Sequence, residues 1–284
     1  MPLTSIQDLL PLVDKPSRYL GTEINTCKKD LSKVKLKIAL AFPDLYEIGT
    51  SHFGLQILYH ILNQRRDIAA ERVFSPAEDM ELLLRSSRVP LASLESQYPL
   101  HRFDIIGFSL LYELNYTNML TILDLGGVPF YASQRAGSDP LIIAGGPCVS
   151  NPEPVADFFD AMVIGDGERV ILEMADIRMQ MQNDGVLDKK ALLKKWSRLE
   201  GVYVPSAFQV TYNEKGHQIT RPLKETGRER VKRAIVSDID LASFPDKPVL
   251  PYGKPVHDRL RLEISRGCTR GCRFCQAGMI YRPV

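Results

Sequence analysis

The residues with the clearest chemical capacity are Cys268, Cys272 and Cys275, spaced C-x3-C-x2-C in one short stretch. Three thiolates so placed can each take one iron of a cubane cluster, whereas an electron-transfer cluster usually has four cysteine ligands. The absent fourth ligand leaves one iron open to a chelating molecule. Gly267 and Gly271 suit a loop that needs positive φ and close backbone approach. Arg266, Arg270 and Arg273 would offset the negative charge of a thiolate-bound cluster and tune its potential. Two other readings stand beside this one: a zinc site completed by a distant histidine such as His257, and a cluster that only transfers electrons. Structural zinc usually takes two paired knuckles, and the sequence offers one half of that pattern. The five cysteines are odd in number and three of them crowd together. Metal-binding thiols in a reducing cytoplasm therefore fit better than a disulfide framework. Cys27 lies in a lysine-rich stretch and reads as incidental, and Cys148 as a small buried residue.

The elements that must position these cysteines fall into four regions. Residues 1–33 form a polar lead-in with Ile6, Leu9, Leu10 and Val13 on one helical face before Pro16. Its start lacks a basic segment followed by an apolar run, so no signal peptide is expected. From residue 34 to 200 the pattern is alternating α/β. Strands are predicted at Leu36–Phe42, weakly around Val73, at Phe103–Phe108, Leu141–Ala144 and Ala161–Ile164. Helices are predicted over Leu55–Asn63, Ala77–Arg85, from Asn115 to Gly126, and through Val170, Met174, Ile177 and Met181. Five strands alternating with helices imply a flavodoxin-like parallel sheet covered on both faces. Residues 201–258 read as a hairpin around Asn213-Glu214-Lys215-Gly216, then a linker rich in proline and charge that packs between domains. Asp188 can cap a helix through Leu192, Trp196 and Leu199. In residues 259–284 the period-two alternation Arg259–Ser265 predicts a new strand leading into the cysteines.

A formal net charge of +2 gives no bulk argument for nucleic acid or a membrane surface, and no apolar run reaches the length of a membrane span. The basic run Arg221, Lys224, Arg228, Arg230, Lys232 and Arg233 is interrupted by Glu225 and Glu229. Lacking interleaved aromatics, it reads as solvating the linker rather than contacting RNA.

Ser265-Arg266-Gly267-Cys268 through Cys275, with Phe274 just before the third cysteine, resembles the cluster loop of the radical S-adenosylmethionine superfamily. The resemblance implies a (β/α) barrel with this loop after its first strand, where barrel active sites lie. It further implies a 4Fe-4S cluster on Cys268, Cys272 and Cys275, with Gly271 and Phe274 beside bound S-adenosylmethionine. A reductant protein such as flavodoxin or ferredoxin would supply the electron that releases a 5′-deoxyadenosyl radical.

Three signals in the α/β region resemble the cobalamin-binding flavodoxin-like fold. Asp44-Leu45-Tyr46-Glu47-Ile48-Gly49 is similar to its D-x-H-x-x-G, with Tyr46 where the cobalt-ligating histidine belongs. Ser109-Leu110-Leu111 is similar to S-x-L, and Gly145-Gly146 to its glycine pair. The family carries these loops around the nucleotide tail of cobalamin. Asp44, Tyr46, Gly49, Ser109, Leu111, Gly145 and Gly146 are thus the implied cobalamin-site residues. These loops have plainer readings: Gly145-Gly146-Pro147 as a tight turn and Ser109 as a helix start; nearby His52 reads as a surface or satisfied histidine rather than a ligand. Gly165-Asp166-Gly167-Glu168 is expected to cap the helix that follows.

The lead-in Lys15-Pro16-Ser17-Arg18-Tyr19, the block Phe42–Gly49 and the stretch Cys275–Pro283 together resemble one bacterial subfamily of cobalamin-domain radical enzymes. Its members carry a complete barrel after this point, so the sequence is expected to be an N-terminal part, inactive by itself. The implied reaction is methyl or other one-carbon transfer. Sulfur insertion on tRNA or protein, as in methylthiotransferases, and a non-catalytic ligand- or partner-binding module are the alternatives.

Overall fold

The computed structural model describes residues 3–186, 188–223, 230–257, 259 and 261–282. Lys224, Glu225, Arg228 and Glu229 of the basic run, Leu260 of the predicted strand, and Pro283 lie outside the described residues.

The chain opens with a short helix α1 (Ile6–Leu9), closed by a capping box in which Ser5 and Asp8 bond each other's backbone. Strand β1 (Leu36–Phe42) follows, then α2 (Tyr46–Gly49), α3 (Phe53–Gln64), β2 (Ile68–Phe74), α4 (Glu78–Ser87), β3 (Ile105–Ser109) and α5 (Asn115–Leu125). Beyond these come β4 (Leu141–Gly145), β5 (Ala161–Val163), α6 (Glu168–Asn183), α7 (Lys189–Trp196) and β6 (Val202–Tyr203). A hairpin of β7 (Phe208–Tyr212) and β8 (Gln218–Pro222) and a last turn of helix, α8 (Ala277–Ile280), complete the set.

The main sheet has the order β2-β1-β3-β4-β5-β6. Its first five strands are parallel, and β6 pairs antiparallel with β5. The order 2-1-3-4-5 is the flavodoxin-like one expected, with a sixth edge strand too short to show a period of its own. β1 is buried on both faces, which explains its near-continuous apolar run. One face packs Leu40, Ile143 and Val163 under α3, α6 and α7. The other packs Ala41, Ile106, Ile142 and Met162 under α4 and α5. Trp196 of α7 is fully buried and its indole nitrogen donates to the Met174 carbonyl at 3.0 Å, so the ring buries no orphan donor. Asp188 caps α7 as predicted, accepting from the Lys190 amide.

The strand around Val73 is stronger than its sequence. Every residue of β2 is buried, Glu71 and Arg72 included. Arg72 pairs with Glu95 at 2.6 Å and Glu23 at 3.0 Å, while Ser93 and Ser96 donate to Glu71. Loop 91–98 and the lead-in thus satisfy the outer edge of the sheet with side chains.

The predicted strand over Arg259–Ser265 makes no ladder. Residues 261–265 run without a partner strand among the described residues, leaving Leu262 68% and Ile264 85% exposed. Alternation supplies faces for a strand, but a strand also needs a neighbour to satisfy its backbone. The linker, by contrast, is well anchored. Gln56 of α3 exchanges two hydrogen bonds with the Val249 backbone, Leu250 bridges to Ile24, and Phe244 stacks near Phe53. No described helix is long and apolar enough to cross a membrane.

Candidate cofactor-binding site

Parallel strands end together at one edge of the sheet, and ligands of such folds bind there because the following loops diverge at the point where strand order reverses. A cavity of about 770 Å³ lies at that edge, spanning the ends of β1, β3, β4 and β5. Its floor includes Gly107 and Gly145, which lie on one face because Gly107 is opposite Ile143 and Ser109 opposite Gly145. A side-chain carbon at Gly145 would meet nothing within 4 Å, and one at Gly107 would meet Ile143 and the Ala39 carbonyl oxygen at ordinary contact distance. The empty space is therefore made by the absence of side chains in the middle of a sheet, where a helix would normally pack. The first turns of α3 and α6 form the walls, and the stretch 261–267 with Tyr281 forms the roof.

Four of the seven residues implied for cobalamin line this cavity: Ser109, Leu111, Gly145 and Gly146. Gly146 has φ +105, and a side-chain carbon there would fall 2.5 Å from the Leu110 carbonyl oxygen. Only glycine permits both that conformation and that approach. Leu110 N donates to Gly145 O at 2.8 Å, so the S-x-L and glycine loops lock together. Asn115 extends this link: its Oδ1 accepts from Leu111 N and its Nδ2 donates to Pro43 O.

The other three do not reach the cavity. Asp44 is buried as a loop brace, accepting from its neighbour Leu45 N and from the Tyr112 hydroxyl at 3.0 Å. That bond to a carboxylate raises the Tyr112 pKa. Tyr46 turns into the core, donates to Glu23 at 3.0 Å and packs edge-on to Phe74. Burial first, then the Glu23 charge, push its phenol well above the ordinary value. Gly49 sits where a side-chain carbon would strike the Phe74 ring at 2.3 Å. The D-x-Y-x-x-G block is thus a packing motif in this protein.

His52 is satisfied, as expected, and also lines the cavity. It caps α3, its Nδ1 accepting from Leu55 N at 3.1 Å. A neutral ring that accepts at Nδ1 carries its proton on Nε2. Burial, with a further contribution from the Arg261 charge, lowers its pKa to about 4, so the ring is neutral at pH 7.

The expected capping role of Gly165–Glu168 is not what the structure shows. Gly167 makes no side-chain cap on α6. Asp166 instead accepts from Val236 N at 2.8 Å and pairs with Arg233 and Arg266, each at 3.5 Å. Arg266 also bonds Glu168 and, at 2.8 Å, Glu263. Arg233 donates to the carbonyls of Ile280 and Arg282 and lies over the Tyr281 ring. These ion pairs hold the cysteine-bearing segment over the cavity. Sequence reading missed Arg261 and Tyr281 because their contacts are long-range. Gly107 did carry a signal, as a glycine inside an apolar strand run.

Cys268 and Cys275 are half-buried and Cys272 is exposed. Cys275 N donates to Cys272 O, so a tight turn joins those two. Gly267 has the expected positive φ of +92, and Gly271 stands in open space. Phe274 is 93% exposed. No group of three or more His, Cys, Asp or Glu is gathered to hold a metal ion among the described residues, so the three thiols do not converge in this structure. The donor set nonetheless suits a thiolate-ligated cluster, being three cysteines in one glycine-bearing loop. Arg266, expected to face that cluster, is engaged by carboxylates instead.

Residues 54–205 match the family described as radical SAM proteins, N-terminal, more than half of the sequence. The chain belongs to this family. A curated relative of this radical SAM N-terminal region, an uncharacterized protein of Methanocaldococcus jannaschii, is 27% identical over 257 residues, covering 88% of this chain and 43% of the relative. The chain spans less than half the length of that relative. Among solved structures, the cobalamin-dependent S-adenosylmethionine radical enzyme OxsB, with aqua-cobalamin and S-adenosylmethionine bound, aligns at TM-score 0.39 and 14% identity, over 70% of this chain and 22% of that one. The radical S-adenosylmethionine methyltransferase TsrM of Kitasatospora setae aligns at TM-score 0.35 and 14% identity, over 63% and 29%. Likeness at that level carries no functional weight.

Proposed function

We propose that this radical SAM N-terminal region serves a radical enzyme in which the sheet-edge cavity holds the nucleotide tail of cobalamin and Cys268, Cys272 and Cys275 hold a 4Fe-4S cluster. The observation that carries the reading is the glycine-floored cavity itself. It lies at the carboxyl edge of the sheet, is lined by Ser109, Leu111, Gly145 and Gly146, and is roofed by the stretch that runs directly into Cys268. Its volume falls in the range of small-molecule sites.

Bound by those thiolates, the cluster would supply the electron that cleaves S-adenosylmethionine to a 5′-deoxyadenosyl radical. The protein's part is to bring that chemistry beside a second cofactor. Gly107 and Gly145 leave room for a flat ring system, and the Asp166–Arg266–Glu168 pairs hold the stretch just before the cysteines against the cavity wall. Methyl or one-carbon transfer is the reaction this pairing would serve. Tyr46 is turned into the core, which leaves that position without a cobalt ligand and favours, as a second reading, a sulfur-inserting enzyme whose α/β domain binds no cobalamin.

Anaerobic reconstitution with iron, sulfide and hydroxocobalamin, followed by metal counting, tests these readings. The proposal expects about four irons together with stoichiometric cobalt. Iron without cobalt sinks the cobalamin assignment and supports sulfur insertion. Neither metal leaves a ligand- or partner-binding module.

A further inference from the structure

The cavity contains an unsatisfied donor. Arg261 lines it, and its Nη2 is buried with no hydrogen-bond partner among the described residues. A guanidinium cannot shed its charge, and a buried unpaired donor of this kind costs free energy that a ligand acceptor would recover. The nearby carboxylates are already engaged. Asp166 is taken by Val236 N, Arg233 and Arg266, while Glu168 and Glu263 are taken by Arg266. None of these ion pairs includes Arg261.

A second donor faces the same space. His52 uses Nδ1 to accept from Leu55, so its Nε2–H remains for a ligand. The same bond makes His52 a poor metal ligand, since Nε2 would have to lose its proton while Nδ1 still accepts one. His52 and Arg261 line the same cavity, so both donors open onto one space. Between them and the far wall, the floor of Gly107, Ile143, Gly145 and Val163 is flat and apolar. The site therefore combines a planar apolar surface with two N–H donors that have no acceptor among the described residues, one of them charged.

We propose that this cavity recognises a phosphate-bearing nucleotide, with the base on the glycine floor and a phosphate oxygen accepting from Arg261 Nη2 and His52 Nε2. Arg261 and His52 are then the specificity-determining residues. The inference rests on the cavity being a cofactor site, and it adds the charged group that the cofactor must carry. The nucleotide tail of cobalamin and a free nucleotide share this chemistry and are separated by the test.

Equilibrium binding to the 284-residue chain is measured for four probes: hydroxocobalamin, cobinamide (which lacks the nucleotide tail), AMP and adenosine. Each is repeated with Arg261→Gln and His52→Asn, the latter keeping a cap acceptor for α3. The phosphate-bearing member of one pair should bind at least about tenfold tighter than its partner, and a bidentate or charge-assisted contact of that kind is of the expected strength. Arg261→Gln should remove that preference while leaving cobinamide or adenosine affinity unchanged. His52→Asn should reduce it less. If cobalamin binds and shows the Arg261-dependent preference, the tail is the ligand. If only AMP shows it, the inference stands and the cobalamin assignment falls. Equal affinity within both pairs, a preference that survives Arg261→Gln, or binding of none of the four would overturn the inference. Unchanged thermal midpoints for both variants confirm that the loss is local.

Discussion

The sheet from Leu36 to Tyr203 and the segment from Arg261 to Arg282 are held by different forces. The sheet is a ladder of backbone bonds between two buried apolar layers. The segment contributes no strand, exposes Leu262, Ile264 and Phe274, and is tied down by Arg233 and Arg266. The rigid part thus supplies the cavity, and the loosely held part carries the cysteines. A protein that must seat a ligand before closing a reactive loop over it benefits from this division, since elements that move are drawn from the less stable end of a structure.

The strongest test of the division is chemical. Each of Cys268→Ala, Cys272→Ala and Cys275→Ala should drop the iron retained after anaerobic reconstitution to background, because a cubane missing one anchor is lost. Cys27→Ala and Cys148→Ala, on the sheet side, should keep it. Full iron in any of the first three would show that the loop is not the metal-holding part.

A test of the rigid side is nearly as severe. Arg72 is buried between Glu23 and Glu95, and removing it strands two carboxylates in the core. Arg72→Met should cost about 3–5 kcal/mol of unfolding free energy in urea. A loss under about 1 kcal/mol would mean that these groups reach water and the edge of the sheet is looser than described.

These residues also mark what could be read in the sequence. The five parallel strands and their helices were legible because burial on both faces writes continuous apolar runs and 3.6-residue stripes. β2 was faint because Glu71 and Arg72 interrupt its run, and the partners that satisfy them, Ser93 and Ser96 for Glu71 and Glu23 and Glu95 for Arg72, lie far away in sequence. The glycine pair and S-x-L reached the cavity because strand ends fix where loops begin. The D-x-Y-x-x-G block did not, since nothing local says that Tyr46 finds Glu23. Alternation at 259–265 signalled a strand whose pairing no local pattern could supply. Asp166 looked like a cap because its position fits one, while its true partners, Arg233 and Arg266, are set by tertiary structure.

Acid should weaken the junction between the two parts. The His52 pKa is about 4 in the folded protein against an ordinary 6.5, so the unfolded chain binds the extra proton first. The stabilisation is complete above about pH 6.5 and is lost as pH falls toward 4. Denaturation midpoints should therefore fall between pH 7 and pH 5, and His52→Asn should flatten that slope. An identical slope in the variant would mean that other groups carry the acid sensitivity.

The smallest effect on overall stability, and the sharpest on the comparison, is expected from Arg266→Ala. Arg266 meets Glu263, Glu168 and Asp166 in a part-buried network that lies outside the sheet, so its loss should touch the sheet's own stability little. The urea midpoint of the sheet should hardly move. Locally the effect is large, because residues 261–267 have no backbone ladder to fall back on, so their amides should exchange markedly faster once the arginine is gone. High salt should act in the same direction on the unmutated protein, since the Debye length shrinks to about 3 Å at 1 M and screens these pairs while leaving apolar packing intact. Hydrogen–deuterium exchange followed by peptide mass spectrometry reads both arms at once. Faster exchange in 261–267 with β1, β3 and β4 unaffected is the expected result. Unchanged exchange in that segment under both treatments would show that something other than these ion pairs holds the roof. A sheet that loosens in step with it would show that the two regions are one cooperative unit.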